Sequence, residues 1–395
     1  MTSQPPPTLG VALIGYAFMG AAHSQAWRTA GRFFDLPLAA RMNVLCGRDR
    51  EAVSAAASRL GWAAYETDWK EVLKREDVQL VDVCTPGSSH AEIVIAALEA
   101  GKHVLCEKPM ANSVEEARAM VRAASVARGR GVRSMVGFNY RRVPAAAFAR
   151  ALVAEGRLGT IRHVRAQYLQ DWIIDPEFPL VWRLRAEEAG SGALGDIGAH
   201  IVDLTQYITG QRIVGVSGLT ETFIRQRPLP AGSSGGLSAG SAAAARGEVT
   251  VDDAALFLAR LEGGALASYE ATRFATGRKN GLRVEVNGSA GSLVFDLERL
   301  NELEFYDGTD SPEVQGFRRI LVTDPSHPYV GAWWPPGHII GYEHSFTHEV
   351  KDLVEAIGTG ADPTPSFADG LQVQLVLDAV LGSAANQGCW TPVGT

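Results

Sequence analysis

The sequence predicts an α/β domain built on a doubly wound parallel sheet, followed by an α+β domain with a mostly antiparallel, open sheet. From Leu9 to about Phe138 short apolar runs alternate with helical patterns, which is typical of parallel βαβ units. After Pro144 the pattern changes to one helix, a long strand and then many strand-like runs joined by short Gly or Asn turns. A chain of 395 residues with 46% hydrophobic and 21% charged content is long enough for two cores. We therefore expect a first domain over residues 1–140 and a second over 141–395.

The elements of the first domain follow from its apolar runs and from the residues that end its helices. The stronger predicted strands cover residues 9–14, 43–46, 80–84, 104–106 and 134–138. A helix is expected over 49–60, ended by Gly61, and another over 91–100, ended by Gly101. Ser113 and Glu116 form a capping box, so they predict the start of a further helix.

The second domain begins with a helix and a long strand over 161–169. Further strands are predicted over residues 213–223, 253–261, 265–271, 282–287, 292–296 and 302–306. Residues 343–357 and 368–385 have helical periodicity, and we expect the first of these helices to close one end of the sheet. Residues 230–247 are nearly all Gly, Ser and Ala, which favours a mobile surface insertion because such side chains bury little area.

Charge and composition exclude several classes of partner. The net charge of −7 and the pI near 5.8 oppose binding to nucleic acid or to an anionic membrane. The N-terminus lacks the regions of a signal peptide and no apolar run is long enough for a membrane span, so we expect a cytoplasmic protein. Cys46, Cys84 and Cys106 lie near predicted strand ends without the spacing of a metal or disulfide framework, which indicates reduced core residues.

A glycine-containing turn follows the first strand and opens a helix. The segment Gly15-Tyr16-Ala17-Phe18-Met19-Gly20 matches the dinucleotide-binding fingerprint of the Rossmann fold, with alanine at the second glycine position. In that fingerprint the first glycine allows a tight turn and the third lets the helix pack on the strand. An ordinary strand-to-helix turn is the alternative. The residues expected to contact the cofactor here are Gly15, Ala17, Phe18, Met19 and Gly20.

The end of the second strand bears on the choice between NAD and NADP. Gly47 occupies the position where an acidic residue would bind the ribose hydroxyls, and Arg48 can pair with a 2′-phosphate. These two residues favour NADP over NAD, although Arg48 can equally be a solvated residue and Asp49 a helix cap. Other expected cofactor contacts follow later strand ends: Thr85, Pro86, His90 and Asn139. For His90, helix capping is the alternative.

The segment Glu107-Lys108-Pro109 is the first candidate for chemistry. A lysine that leaves the C-terminal end of a parallel strand points into the crevice where such sheets bind ligands. Pro109 restricts the backbone of Lys108, so the direction of the lysine is partly fixed by sequence. We expect Glu107 and Lys108 to contact the cofactor, and Lys108 to stabilise a developing alkoxide. An ordinary Lys-Pro turn is the alternative.

A second chemical signal lies in residues 190–200, which contain several glycines and end in Asp196-Ile197-Gly198-Ala199-His200. Asp196 and His200 are four positions apart at a helix start, so they can act on one substrate group, while the glycines allow backbone to approach a ligand. Histidine has an intrinsic pKa suited to removing a hydroxyl proton near neutral pH, and Asp196 can orient it or bind a neighbouring hydroxyl. The alternatives are a capping aspartate with a buried histidine, or a metal site. No metal is expected, because no second His or Cys has ligand spacing there.

Together, the glycine turn, the Glu-Lys-Pro segment and the Gly192 to His200 segment resemble the glucose-fructose oxidoreductase, inositol dehydrogenase and MocA family. Further stretches at 138–142, 168–172, 179–183 and 366–370 are similar to a subgroup of anhydrosugar dehydrogenases. The resemblance covers nearly the whole chain. It departs from the family at Ala17 and at Gly47-Arg48, and the second departure bears on the NAD preference of many members.

The resemblance implies hydride exchange between NAD(P) and a secondary hydroxyl carbon of a sugar, anhydrosugar or cyclitol. It assigns catalysis to Lys108, Asp196 and His200. It also implies further pocket residues, with Trp182 and Arg183 near the cofactor and the following expected to contact substrate: Lys108, Tyr140, Gln170, Trp172, Arg183, Asp196 and His200. Asp171 is a further candidate for reading hydroxyls, or else a member of a surface ion pair. The C-terminal sheet is expected to form a homodimer or homotetramer.

Two other functions remain open on the sequence alone. One is a non-catalytic NAD(P)-binding regulator that kept the fold, against which the retention of all three candidate groups argues. The other is an enzyme that uses a transient ketone to cleave a glycosidic bond, with the bound nucleotide recycled in each turnover. Net formation of reduced coenzyme from free sugars distinguishes the dehydrogenase from both.

Overall fold

The computed structural model of the protein describes residues 6–230 and 242–394, which form two compact units. The first unit contains the described residues up to Asn139 together with Tyr342–Leu371, and the second contains the rest. The first boundary lies beside the expected one at residue 140. The segment Tyr342–Leu371 belongs to the first unit, whereas we expected it in the second domain.

The first unit is built on a parallel sheet. Its strands within the described residues are β1 (Thr8–Ile14), β2 (Ala39–Cys46), β3 (Ala64–Glu66), β4 (Leu80–Val83), β5 (His103–Glu107) and β6 (Ser134–Gly137). The strand order is β3-β2-β1-β4-β5-β6, and every pair is parallel. β1 and β4 are buried almost throughout, as apolar strands covered on both faces must be. The reversal of strand order beside β1 creates the crevice at which such sheets bind ligands.

Helices alternate with these strands: α1 (Phe18–Phe33), α2 (Arg50–Leu60), α3 (Trp69–Lys74), α4 (His90–Glu99) and α5 (Val114–Arg128). The capping box is confirmed, because the hydroxyl of Ser113 accepts from the backbone N–H of Glu116, whose carboxylate accepts in return from Ser113. Sequence patterns missed β3 and α3, which are too short for a periodic signal.

The second unit is built on a mixed sheet. Its elements before residue 340 are α6 (Pro144–Ala154), β7 (Ile161–Leu169), α7 (Ala186–Ala189), α8 (Ala199–Thr209), β8 (Ile213–Glu221), β9 (Gln226–Pro230), β10 (Ala242–Glu248), β11 (Ala254–Leu261), β12 (Leu266–Thr272), β13 (Gly281–Gly288), β14 (Gly291–Asp296), β15 (Glu302–Asp307) and β16 (Arg318–Leu321). β7 pairs parallel with β12 and antiparallel with β13, and the other strand pairs of this sheet within the described residues are antiparallel. The predicted fold class is confirmed.

The expected insertion at 230–247 is described only at its two ends. β9 and β10 pair antiparallel there, so the flanks are strands rather than irregular chain. Residues 231–241 of the expected insertion lie outside the described residues.

The chain ends with α9 (Tyr342–Thr359), α10 (Phe367–Ala385) and β17 (Thr391–Pro392), which pairs with β8 at the edge of the mixed sheet. We expected α9 to close that sheet, and this is wrong. Phe346, Val350 and Leu353 of α9 belong to one buried core with Val11 and Trp27 of the first unit. Among the described helices, none has the length and apolarity that a membrane span requires.

Candidate active site

The glycine turn after β1 requires glycine at both ends. Gly15 has φ +103°, and a Cβ there would lie 2.6 Å from the carbonyl oxygen of Cys84. A Cβ at Gly20 would lie 2.2 Å from the carbonyl oxygen of Gly15, so the helix packs directly on the turn. These contacts are the close approaches that the fingerprint predicts.

α1 begins at this turn without a side-chain cap. Ala17 is the residue before the helix and offers no oxygen to the first backbone N–H groups. Phe18 is 51% exposed and Met19 is half-buried, so the helix start lies at the surface. N–H groups at an uncapped helix start bind phosphate well, and Ala17 has no side chain large enough to prevent it. The turn therefore fits a dinucleotide pyrophosphate.

The residues that bear on the choice between NAD and NADP follow the end of β2. A Cβ at Gly47 would lie 2.0 Å from Cε1 of Tyr16, so the tyrosine ring covers the glycine. Asp49 caps α2, because its carboxylate accepts from the N–H of Ala52 at 2.9 Å. The alternative interpretation of Asp49 is thus confirmed. Arg48, next to it, is exposed.

His90 and Asn139 have their polar atoms engaged by the protein. The Nε2 and Nδ1 atoms of His90 lie 2.8 Å from the carbonyl oxygen of Thr85 and 3.1 Å from that of Pro109. Burial lowers the pKa of His90, which favours a neutral ring, and a neutral ring donates to only one of these two carbonyl oxygens. The amide of Asn139 donates to the hydroxyl of Ser345 at 2.8 Å. Both residues hold the strand ends in place, whereas Thr85 and Pro86 are half-buried at the end of β4.

The Glu107-Lys108 turn contains a buried constellation that sequence reasoning missed. One carboxylate oxygen of Glu107 accepts from the N–H of Lys108 at 2.9 Å, and the other lies 3.0 Å from Nε2 of His23. The other ring nitrogen of His23 lies 2.9 Å from Asp82. Asp82 had a signal in the sequence, since a charged residue within an apolar strand requires a buried partner. Lys108 itself is half-buried.

In the second unit, Asp252 holds the segment that carries Asp196 and His200. Its carboxylate accepts from the N–H groups of Gly192 at 2.7 Å and Leu194 at 2.8 Å. A π-helical turn, Leu194–Gly198, then leads into α8. We expected the glycines to bring backbone close to a ligand, but a Cβ at Gly192 would lie 1.7 Å from the carbonyl oxygen of Asp252. That glycine is required by a protein neighbour.

Asp196 lies between two guanidinium groups. Its Oδ2 is 3.7 Å from Nη1 of Arg273 and 3.9 Å from Nε of Arg183. The guanidinium of Arg183 also lies 4.3 Å from the ring centroid of Trp182. Sequence reasoning found Arg183 and missed Arg273, which is fully buried and carried no motif.

His200 is buried against two tyrosine rings. Its ring centroid is 4.5 Å from that of Tyr140 and 5.9 Å from that of Tyr168. The two tyrosine hydroxyls are 2.9 Å apart, and that of Tyr168 donates to Oδ1 of Asn280 at 2.7 Å. His200 is therefore held beside the start of a polar network.

The network continues to two further predicted residues. The amide of Gln170 donates to Asn280 at 2.9 Å, and Nε1 of Trp172 donates to Gln170 at 3.0 Å. Asp171, which lies between them in sequence, accepts from Lys279 at 2.8 Å and from the N–H of Gly277 at 2.9 Å. Asp171 therefore forms an ion pair with Lys279, which is the alternative role that we considered for it. Asn280 was missed because a lone asparagine in a turn has no distinguishing pattern.

Comparisons with known proteins agree with both halves of this description. Residues 9–138 match the family model "Oxidoreductase family, NAD-binding Rossmann fold", and residues 147–294 match the "GFO/IDH/MocA C-terminal domain". The chain is 42% identical over 388 residues to levoglucosan dehydrogenase of Pseudarthrobacter phenanthrenivorans, covering 98% of each chain.

Two solved structures are also similar. An oxidoreductase domain protein from Kribbella flavida has a TM-score of 0.94 and 66% identity over 98% of this chain and all 100% of its own. A levoglucosan dehydrogenase in complex with NADH and levoglucosan has a TM-score of 0.91 and 41% identity, with the same coverage. Likeness therefore extends over both units to solved oxidoreductases.

Proposed function

Because the chain belongs to the glucose-fructose oxidoreductase, inositol dehydrogenase and MocA family, we propose that it oxidises a secondary hydroxyl of an anhydrosugar such as levoglucosan. The chain is an NAD-dependent oxidoreductase of the sugar and cyclitol dehydrogenase type. The observation that carries the finer proposal is the hydrogen-bonded network from Tyr140 to Trp172 beside His200, which offers hydroxyl and amide groups to a compact neutral polyol.

We assign the proton transfer to His200 and Lys108. His200 accepts the proton of the reacting hydroxyl, and the ammonium of Lys108 stabilises the alkoxide that forms. The carboxylate of Asp196 lies beside Arg183 and Arg273, and it orients the substrate by accepting from a neighbouring hydroxyl. Bound NAD supplies the hydride acceptor.

The substrate contacts in this proposal come from one network of side chains. The amide of Gln170 and the hydroxyl of Tyr168 read hydroxyls of the ring, while the indole of Trp172 supplies an apolar face for its C–H groups. Trp172 is fixed for this role, because Phe178 packs edge-on at 5.3 Å between centroids and the guanidinium of Arg273 lies 5.6 Å from the ring. A rigid indole costs little entropy when a sugar binds.

For the coenzyme we propose that Arg48 determines how much NADP is used beside NAD. An exposed guanidinium after Gly47 supports pairing with a 2′-phosphate. The carboxylates of Asp68 and Glu66 oppose it, because both lie close enough to the end of β2 to add to the effect of burial in raising the pKa of Cys46. Negative potential at this strand end disfavours a further phosphate, so we expect NAD to remain a good coenzyme.

We also propose that copies of the chain assemble through the mixed sheet. On neighbouring strands β8, β11 and β12, Leu219 and Leu258 are each 61% exposed and Leu256 and Leu266 each 52%. Leu256 lies opposite Leu219 in the register of β11 and β8. Adjacent exposed leucines on a sheet face are typical of an interface.

The test is NAD reduction, followed by absorbance at the nicotinamide band, with levoglucosan, glucose and myo-inositol. We expect NADH with levoglucosan, and we expect Lys108→Ala and His200→Ala each to lower kcat by on the order of a hundredfold or more while NAD still binds. Lys102→Ala is the matched control. Lys102 precedes β5 and donates to backbone carbonyls of Arg75 and Val78, so its loss should affect stability but not turnover.

The remaining outcomes contradict the proposal in different ways. Release of an aglycone from a glycoside without net NADH would favour the redox-assisted cleaving enzyme. Coenzyme binding without reaction across the panel would favour the regulator. Activity of Lys108→Ala or His200→Ala near that of the wild type would remove the role assigned to that residue.

A further inference from the structure

A buried charge cluster lies beneath the Lys108 turn, made of Asp82 on β4, His23 on α1 and Glu107 on β5. Nδ1 of His23 lies 3.0 and 2.9 Å from the two oxygens of Asp82, and Nε2 lies 3.0 Å from Glu107. The three side chains are at most 5% exposed. Each ring nitrogen therefore faces a carboxylate at hydrogen-bond distance, inside the first unit.

An imidazolium satisfies this arrangement, because it donates from both nitrogens. Burial opposes the charged ring, but the carboxylate of Asp82 outweighs it and raises the pKa of His23 well above its usual value. Burial likewise opposes ionised Glu107, but the hydrogen bond from His23 outweighs it and lowers the pKa of Glu107. A buried charge left without its partner is strongly destabilising, so the charges of His23 and Glu107 depend on each other.

The cluster connects α1, which begins at the glycine turn, to the Glu-Lys-Pro turn. Trp27, one turn further along α1, donates its indole N–H to Asp82 at 2.7 Å. At the other end, the second oxygen of Glu107 accepts from the backbone N–H of Lys108 at 2.9 Å. A continuous set of hydrogen bonds thus joins α1, β4 and β5 to the backbone of Lys108.

We propose that His23 is a positioning residue for Lys108: it holds the Glu107 carboxylate in the orientation that fixes the Lys108 backbone against α1. This inference rests on the catalytic role proposed for Lys108. His23 does not act on substrate; it is covered within the core of the first unit, where its ring lies 5.4 Å from that of Phe346. Its contribution is geometric, and displacement of a reacting group by about 1 Å can cost on the order of a hundredfold in rate.

The same region has ligand atoms for a metal ion, since His23, Asp82 and Cys84 offer atoms within 4.8 Å of one another. The observed distances favour hydrogen bonds instead. A metal-bound imidazole nitrogen would be deprotonated at about 2.0–2.1 Å from the ion, whereas both nitrogens of His23 lie about as far from carboxylate oxygens as in N–H···O bonds.

The experiment compares His23→Gln, Glu107→Gln and the double variant in the full chain. We expect His23→Gln to lower kcat by about tenfold or more, with the Kd for NAD within about threefold and a larger primary isotope effect with deuterated substrate. In the double variant the unpaired carboxylate is replaced by an amide, so we expect at least about threefold recovery of kcat relative to His23→Gln. If His23→Gln does not fold, His23→Asn takes its place, and we expect the same result: a lower kcat with the Kd for NAD nearly unchanged.

His103→Gln is the matched control. His103 is a half-buried histidine at the opposite end of β5, where its ring accepts from the N–H of Arg133 at 2.9 Å. Its replacement should lower the melting temperature without changing the isotope effect. The inference is overturned if His23→Gln behaves like His103→Gln and keeps kcat within about twofold, or if its loss lies only in NAD affinity.

A second measurement separates this inference from the proposed dehydrogenase activity. If none of the carbohydrates tested supported NAD reduction by the wild type, the proposed dehydrogenase activity would be wrong. The NMR signal of reductively methylated Lys108, assigned with Lys108→Arg, would still report its position. We expect that signal to shift in His23→Gln and not in His103→Gln, and an unchanged signal in both would overturn the positioning role.

Discussion

Arg48 and Asp49 are neighbours in sequence, but the side chain of Asp49 caps a helix and that of Arg48 is exposed. Asp49 uses its carboxylate to cap α2, so it is already occupied by the N–H of Ala52. Arg48 is exposed beside the tyrosine-covered Gly47. At this strand end Gly47 replaces the usual acidic ribose ligand and Arg48 next to it offers a cation, so a single side chain can alter coenzyme choice.

We predict that Arg48→Ala lowers kcat/KM with NADP by about tenfold, because a partly solvated guanidinium–phosphate contact contributes roughly 1.5 kcal/mol. The value with NAD should remain within about twofold, since no 2′-phosphate is present. Initial rates with both coenzymes measure the ratio. Arg59→Ala, at the last turn of α2, is the control for loss of charge on the same helix. Equal losses with both coenzymes would contradict the assignment.

His90 and Asn139, which we expected to contact the cofactor, have side chains that contact other parts of the protein. The ring of His90 lies against the backbone carbonyl oxygens of Thr85 and Pro109, and Asn139 donates to Ser345. Sequence position correctly placed Asn139 shortly after β6 and His90 after β4, where α4 begins. It did not show their partners, because the carbonyl of Pro109 beside His90 and the hydroxyl of Ser345 beside Asn139 come from other segments of the chain.

At the scale of elements, the segment before α8 is fixed by Asp252 and by the tight contact at Gly192. The carboxylate of Asp252 holds two N–H groups, and its backbone oxygen leaves no space for a side chain at Gly192. This contact sets the start of the π-helical turn from which Asp196 projects. A displacement of this turn would move the carboxylate relative to Arg183 and Arg273.

Gly192→Ala is therefore expected to destabilise the protein by about 2 kcal/mol, the cost of forcing extra volume into a packed site. We expect kcat to fall at least about tenfold as Asp196 shifts. Thermal unfolding and steady-state rates measure the two effects. Gly382→Ala, in α10 where a Cβ meets no atom within 4 Å, should instead stabilise by about 0.5–1 kcal/mol with normal turnover. Wild-type activity in Gly192→Ala would refute this account of the turn.

At the scale of the whole molecule, the sheet of the second unit has one face packed and one face with exposed leucines. The strand β11 alternates regularly, with Phe257 and Ala259 buried and Leu256 and Leu258 exposed. Burial of such apolar surface stabilises by about 25 cal/mol for each Å², which favours association with a second copy.

We predict that Leu258→Asp shifts the protein toward monomers in light scattering coupled to size-exclusion chromatography, because a carboxylate buried in an apolar interface is unfavourable. Its melting temperature should then depend less on protein concentration. Val126→Asp, on α5 where Val126 is 68% exposed, is the matched control and should leave the assembly unchanged. An unaltered mass for Leu258→Asp would exclude this face as the interface.

Local patterns in the sequence determined most of the elements, the fold class and the glycine turn. Alternation along β7, the capping box of α5 and the fingerprint from Gly15 to Gly20 are set by neighbours a few residues away, so they are visible in a short window. The Glu-Lys-Pro and Asp-Ile-Gly-Ala-His segments likewise identified the family.

Only the tertiary structure decided which side chains surround those motifs and where α9 packs. His23 contacts Asp82 and Glu107 across 59 and 84 residues of chain, and Gln170 contacts Asn280 across 110. Such contacts follow from strand order and helix docking, which bring distant segments together after local structure is set. The physical reason is that a buried polar group requires a partner, and a linear pattern shows the requirement without showing which residue meets it.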